Sequence, residues 1–201
     1  MRRSIAILLF DDVEVLDACG PFEVFSVANR VAERAGTAAL FDVTLVGIDD
    51  GAVRARGGMR IGVDTTIDDP RGFDVVLVPG GVVDAVEADS RVLQWLQRIR
   101  PTAETVASVC TGVFVLAAAG LLDERPVTTH WEDLELLGDR WPALVVHEGV
   151  RYIDHGDLAT SAGISAGLDL ALHLVARWAG ADHALATASQ MDYDWSGAEH
   201  P

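Results

Sequence analysis

With 201 residues, half of them hydrophobic and 23% charged, the chain has the make-up of a folded protein, which excludes disordered, collagen-like and coiled-coil classes. Its 15 Lys and Arg against 31 Asp and Glu leave a formal charge of −16. That charge repels phosphate backbones and anionic lipid headgroups, so neither a nucleic-acid nor a membrane partner is expected. Two cysteines, Cys19 and Cys110, are too few for a disulfide framework and fit a reducing compartment, so a cytoplasmic location is expected. Mean hydropathy is positive, but the longest apolar run, Val113 to Leu122, has about half the length of a spanning helix. Met1-Arg2-Arg3-Ser4 leads straight into a strand-like run without a small-residue cleavage pattern, and no leader is expected.

In chain order, Ile5 to Phe10 is a continuous apolar run, as in a strand buried on both faces. Gly20-Pro21 predicts a helix start, with Pro at the first helical position. Phe41 to Val46 is a second strand, and Val53 to Val63, with Gly57-Gly58 inside it, predicts a hairpin. Asp74 to Val78 predicts a buried strand ending in Pro79-Gly80-Gly81, and Arg91 to Ile99 an amphipathic helix. Thr105 to Val109 predicts a strand running into Cys110-Thr111-Gly112, followed by a helix over Phe114 to Ala119 with Gly120 as its left-handed stop. Short strands near Val145 and over Arg151 to Ile153 are expected to pair. Leu158 to Ser161 is a further strand, and Ile164 to Ala179 a helix ended by Gly180. This alternation predicts one α/β domain over residues 1–201, a three-layer sandwich around a mostly parallel sheet. Sites in such sheets lie beyond the carboxyl ends of the strands. Three polar or glycine-rich strand ends stand out: Asp11 to Asp17, Pro79 to Gly81 and Cys110 to Gly112.

A strand that enters a cysteine and then a helix presents the sulfur at a sharp elbow above the sheet. The helix amino terminus is expected to lower the thiol pKa, and its free N–H groups can hold developing negative charge. Gly112 is expected to let the backbone approach a ligand. Cys110 is therefore a candidate nucleophile, the alternative being a small buried hydrophobe; Cys19 suits packing.

Ser108-Val109-Cys110-Thr111-Gly112, Ala117-Ala118-Ala119-Gly120-Leu121-Leu122 and Thr128-Thr129-His130-Trp131 resemble the ThiJ/PfpI superfamily, a branch of the class I glutamine-amidotransferase-like fold. Further matches are Leu8-Leu9-Phe10, Leu16-Asp17 with Gly20-Pro21, Val78-Pro79-Gly80-Gly81 and Ala162 to Asp169. Within the superfamily the similarity is greatest to isonitrile hydratases and to the sensor domains of AraC-type regulators. The resemblance implies a flavodoxin-like sheet, a homodimer, a small-molecule substrate and no cofactor. It also implies Asp17 as the acid beside Cys110, with Glu14 the alternative acid. The Gly80-Gly81 turn and the Thr111 N–H would form an oxyanion-type pocket, with His130 and Ile164 at the substrate. Thr111 occupies the position where protease-like relatives carry histidine, which disfavours a peptidase.

The histidines His147, His155, His173, His183 and His200 lack metal-ligand spacing, and no metal is expected. No P-loop and no G-x-G-x-x-G follows a strand. The expectation is isonitrile hydration through a Cys110 thioimidate, a cofactor-independent lyase reaction. The alternatives are a non-catalytic small-molecule sensor and a glyoxalase- or deglycase-type stress protein, with a degenerate, inactive member as a further reading. AraC-type regulators continue into a DNA reader, whereas this chain runs to Pro201 through an acidic stretch (Asp192, Asp194, Glu199), so a stand-alone regulator is not expected.

Overall fold

A computed structural model describes residues 2–197; Glu199 and His200 lie outside the described residues. The buried apolar run at the start forms β1 (Arg3–Leu9), followed by α1 (Val15–Arg34) and β2 (Phe41–Gly47). A hairpin of β3 (Ala52–Arg54) and β4 (Arg60–Gly62) turns through Arg56–Gly58 as the sequence predicts. Next come β5 (Thr65–Thr66), β6 (Val75–Val78), α2 (Asp84–Ala88), α3 (Ser90–Ile99), β7 (Thr105–Val109) and α4 (Gly112–Ala118). The last third holds β8 (Pro126–Val127), α5 (Leu134–Arg140), β9 (Val145–Val146), β10 (Tyr152–Asp154), β11 (Leu158–Ser161), α6 (Ala166–Ala179) and α7 (Ala181–Gln190).

The main sheet runs β10-β11-β7-β6-β1-β2-β5, parallel throughout except for the edge strand β10. Helices α1, α6 and α7 pack together on one side, and α2, α3 and α4 pack together as a second group. All four residues of β6 and all five of β7 are buried; β6 reads as an unbroken apolar run, and β7 admits only the small polar Thr105 and Ser108. The order reverses at β1: β2 lies to one side of it and β6 to the other. Ligands in open parallel sheets bind at such a reversal, where diverging connections leave a crevice.

Three sequence expectations fail here. The first helix begins at Val15, and Pro21 lies inside it. Proline in a helix interior removes one hydrogen bond and costs about 3 kcal/mol in isolation. Here Pro21 is buried where α1 meets Gly167 of α6, and packing outweighs propensity. The short strands near 145 and 151 do not pair with each other: Val145–Val146 adds in parallel to β8, while β10 turns back onto β11 through an Asp154–Gly156 turn. Finally, α6 starts at Ala166, leaving Ile164 outside it at φ 53°.

Candidate active site

Three turns meet at the reversal: the β1–α1 turn with Glu14 and Asp17, the β6–α2 turn with Gly80 and Gly81, and the β7–α4 turn with Cys110 and Thr111. Cys110 has φ 57°, a left-handed backbone that a non-glycine residue adopts at a cost of roughly 1–3 kcal/mol. Its N–H donates to the carbonyls of Ser161 (3.1 Å) and Ala162 (3.3 Å), and its own carbonyl accepts from the Thr129 hydroxyl at 2.9 Å. These bonds hold the elbow that the strand-to-helix pattern predicts. Thr129 is buried; the sequence names it within the Thr128-Thr129-His130-Trp131 motif but gives it no role, since a threonine beside a histidine carries no chemical signature of its own.

The turns approach so closely that side chains are excluded between them. A Cβ on Gly80 would lie 2.6 Å from the Thr111 hydroxyl and 2.8 Å from the Cys110 Cβ. A Cβ on Gly112 would lie 2.1 Å from the Val78 carbonyl. Gly112 therefore serves the contact between the elbow and β6, not ligand approach, and it does not line the cavity.

Asp17 is fully buried, and its Oδ2 accepts from the Gly80 N–H at 3.0 Å. Its Oδ1 has no hydrogen-bond partner. Burial raises the carboxyl pKa to about 7, against the lowering effect of the Gly80 N–H; the nearby Glu14 charge raises it further, and the Cys110 thiol and Ile164 N–H oppose that rise. The thiol is pushed up to about 12, first by burial, then by the Asp17 charge, with the Thr111 N–H pulling it down. This corrects the expectation of a depressed thiol pKa: α4 is only seven residues long, and its amino-terminal field loses to desolvation and an adjacent carboxylate. The resting thiol is protonated, with its natural proton acceptor beside it.

The oxyanion assignment to the glycine turn also changes. The Gly80 N–H is taken by Asp17, and the Gly81 N–H donates to the Thr111 hydroxyl at 2.9 Å, which donates back to the Gly81 carbonyl at 3.0 Å. Both donors are spent inside the protein, leaving the Thr111 N–H near the sulfur.

The sulfur opens into a cavity of about 400 Å³. Cys110, which is 7% exposed, lies on its wall with Glu14, Gly81, Thr111, His130 and Ile164. Asp17 and Gly80 sit behind that wall. The structure thus brings the sequence candidates together in two tiers, with Asp17 under the sulfur and Glu14 facing the cavity. The outer wall comes from 130–140, including Asp133 and Arg140. His130 accepts the Glu132 N–H on Nδ1 at 3.3 Å and packs over Gly163. Among the described residues no group of three or more His, Cys, Asp or Glu side chains is placed to hold a metal ion, and no helix is long and apolar enough to cross a membrane.

The family model for the DJ-1/PfpI family matches residues 3–177. The chain belongs to the DJ-1/PfpI family. As a member of it, the chain is 36% identical over 194 residues to an isonitrile hydratase of Pseudomonas putida, covering 96% of this chain and 79% of the relative. It is 31% identical over 190 residues to the HTH-type transcriptional regulator CdhR of Pseudomonas aeruginosa, covering 94% of this chain; the chain spans about half (55%) of that regulator. Among solved structures, a ThiJ/PfpI family protein from Pseudomonas syringae superposes with a TM-score of 0.84 at 26% identity, covering 96% of this chain and 76% of that one.

Proposed function

We propose that this DJ-1/PfpI protein hydrates isonitriles to N-substituted formamides, with Cys110 as nucleophile and Asp17 as its proton partner. The carrying observation is the buried thiol with a carboxyl of pKa about 7 beside it and a cavity of about 400 Å³ in front. The 36% identity to an isonitrile hydratase over nearly the whole chain supports the same reading. Asp17 takes the thiol proton as sulfur attacks the terminal isonitrile carbon, and the S–C bond forms. The proton then passes from Asp17 to that carbon, giving a thioimidate, R–N=CH–S. Water adds to the same carbon: Glu14, which faces the cavity, takes one water proton and passes it to the nitrogen, leaving the hydroxyl on carbon. The tetrahedral carbon then expels sulfur, its hydroxyl proton returns to the thiolate through the carboxyls, and R–NH–CHO leaves. One isonitrile and one water are consumed, and no external oxidant or reductant takes part.

The test is formamide formation from an alkyl isonitrile, followed by NMR. Cys110→Ala is expected to lower kcat/KM by at least about 10³-fold. Equal rates in the variant and the parent protein would end the reading. A second reading, a ligand-sensing domain, draws on the similarity to the regulator. It predicts that a small molecule raises the melting temperature with no product formed.

A further inference from the structure

The side chains on the cavity wall divide into two kinds. Most of its charged groups are turned on one another: Arg140 pairs with Glu87 at 2.9 Å, Arg56 stands 3.7 Å from Glu14, and Glu132 and Asp133 face Nδ1 of His130 at 3.5 and 3.7 Å. Its apolar groups are left open. Val82, Leu136 and Ile164 are 47%, 49% and 41% exposed, and none of the three joins the hydrophobic core. Single exposed apolar side chains are ordinary on a protein surface, whereas several gathered around one cavity mark a binding surface. Ile164 adds a second sign. It is β-branched and stands at φ 53°, a backbone that glycine adopts without strain. That strain is borne at a residue whose side chain serves the cavity and not the core. Behind these three, Phe114 and Val83 are buried and add hydrocarbon to the wall.

We infer that the cavity takes substrates with an apolar substituent, and that Val82, Ile164 and Leu136 set the preference by covering it. Val82 directly follows the Gly81 turn that binds Thr111, and Ile164 lies two residues beyond Ala162, whose carbonyl accepts the Cys110 N–H. These two therefore flank the reacting end. Leu136 belongs to α5 in the outer wall and meets the far end of the substituent. The inference deepens the hydration reading and rests on it for the reacting end alone. Closing these half-exposed side chains against alkyl carbons takes hydrocarbon of both partners out of water. Each methylene that enters should tighten binding roughly two- to fourfold.

The test is a series of straight-chain isonitriles from ethyl to pentyl, with 2-methoxyethyl isonitrile as the polar match of the butyl compound. Binding is measured by calorimetry with Cys110→Ala, and turnover with the parent protein. Affinity and kcat/KM are expected to rise with chain length, and the butyl compound to exceed the ether at least about fivefold. Leu136→Ser, made in either background, is expected to lower the butyl-to-ethyl ratio at least about threefold. Leu136 is half-exposed, and a ratio taken within one variant is insensitive to loss of folded protein. A flat series, or equal binding of the ether, overturns the inference. So does an unchanged ratio in Leu136→Ser; a shift in its oligomeric state by size-exclusion chromatography would then give the exposed leucine to a second copy of the chain. A rising series in Cys110→Ala with no turnover by the parent upholds the apolar preference and removes the hydration reading, so the two failures are told apart.

Discussion

At the scale of single residues, the site is a coupled pair. Asp17 is protonated in folded and unfolded chains below about pH 4, whereas between its ordinary value of 3.8 and about 7 only the unfolded chain has released the proton. Stability therefore falls as pH rises through that window, by roughly 4 kcal/mol if Asp17 acted alone. Asp17→Asn removes the slope, and the variant is expected to melt at higher temperature than the parent at pH 8 by calorimetry, while formamide production is lost. The same substitution removes the charge that opposes thiol ionisation. Alkylation of Cys110 by iodoacetamide at pH 8 should become faster in Asp17→Asn than in the parent, although the variant is inactive. Slower alkylation would mean that proton acceptance by Asp17 outweighs the repulsion its charge exerts on the thiolate. The identities of these residues were legible in the sequence; their ionisation was not. A short motif shows a helix amino terminus ahead of a cysteine, but the desolvation that overrides it comes from α1 and β6, which are far away in sequence.

At the scale of elements, burial on both faces makes β1 and β6 largely apolar runs that were legible as strands, and β2, β7 and β11, which include polar residues, also fall within a few residues of where the sequence places them. The short elements β5, α2 and β8 were not legible, and β9, expected near Val145, was given the wrong partner, since two residues carry no period and partners are chosen by tertiary contact. The glycine pattern was seen but partly misread. Gly112→Ala is expected to destabilise by about 3 kcal/mol or more in urea unfolding, because the added methyl meets the fixed Val78 carbonyl and no flexible side chain can yield. Thr129→Val keeps the volume and removes the hydrogen bond to the Cys110 carbonyl. A loss of about 1–2 kcal/mol is expected, with kcat reduced more than KM is raised, since the elbow is displaced while the cavity walls remain.

At the scale of the whole molecule, the half of the sheet opposite the hairpin is tied by charge. Burial alone would raise the Asp154 pKa, but the His173 ring at 2.8 Å, the Gly156 N–H and Arg177 at 3.0 Å bring it to about 2. Its stabilisation is complete above the ordinary carboxylate value of 3.8 and fades as pH falls through about 2. Asp154→Ala should cost about 3 kcal/mol at pH 7 and nearly nothing at pH 2, read from urea midpoints.

The wall of the cavity has two origins. The reacting side is built from turns of the central sheet, whereas much of the rest comes from one stretch, 130–140, flanked by the two-strand ladder of β8 and β9, with Asp84 and Glu87 of α2 beside it. Chemistry and recognition are thereby segregated along the chain. An exchange of 130–144, by drift or by grafting, that keeps Thr129 leaves the hydrogen bond that holds the Cys110 elbow in place. Such transplants offer a direct way to present one buried cysteine and its neighbouring carboxyl with a succession of guest molecules.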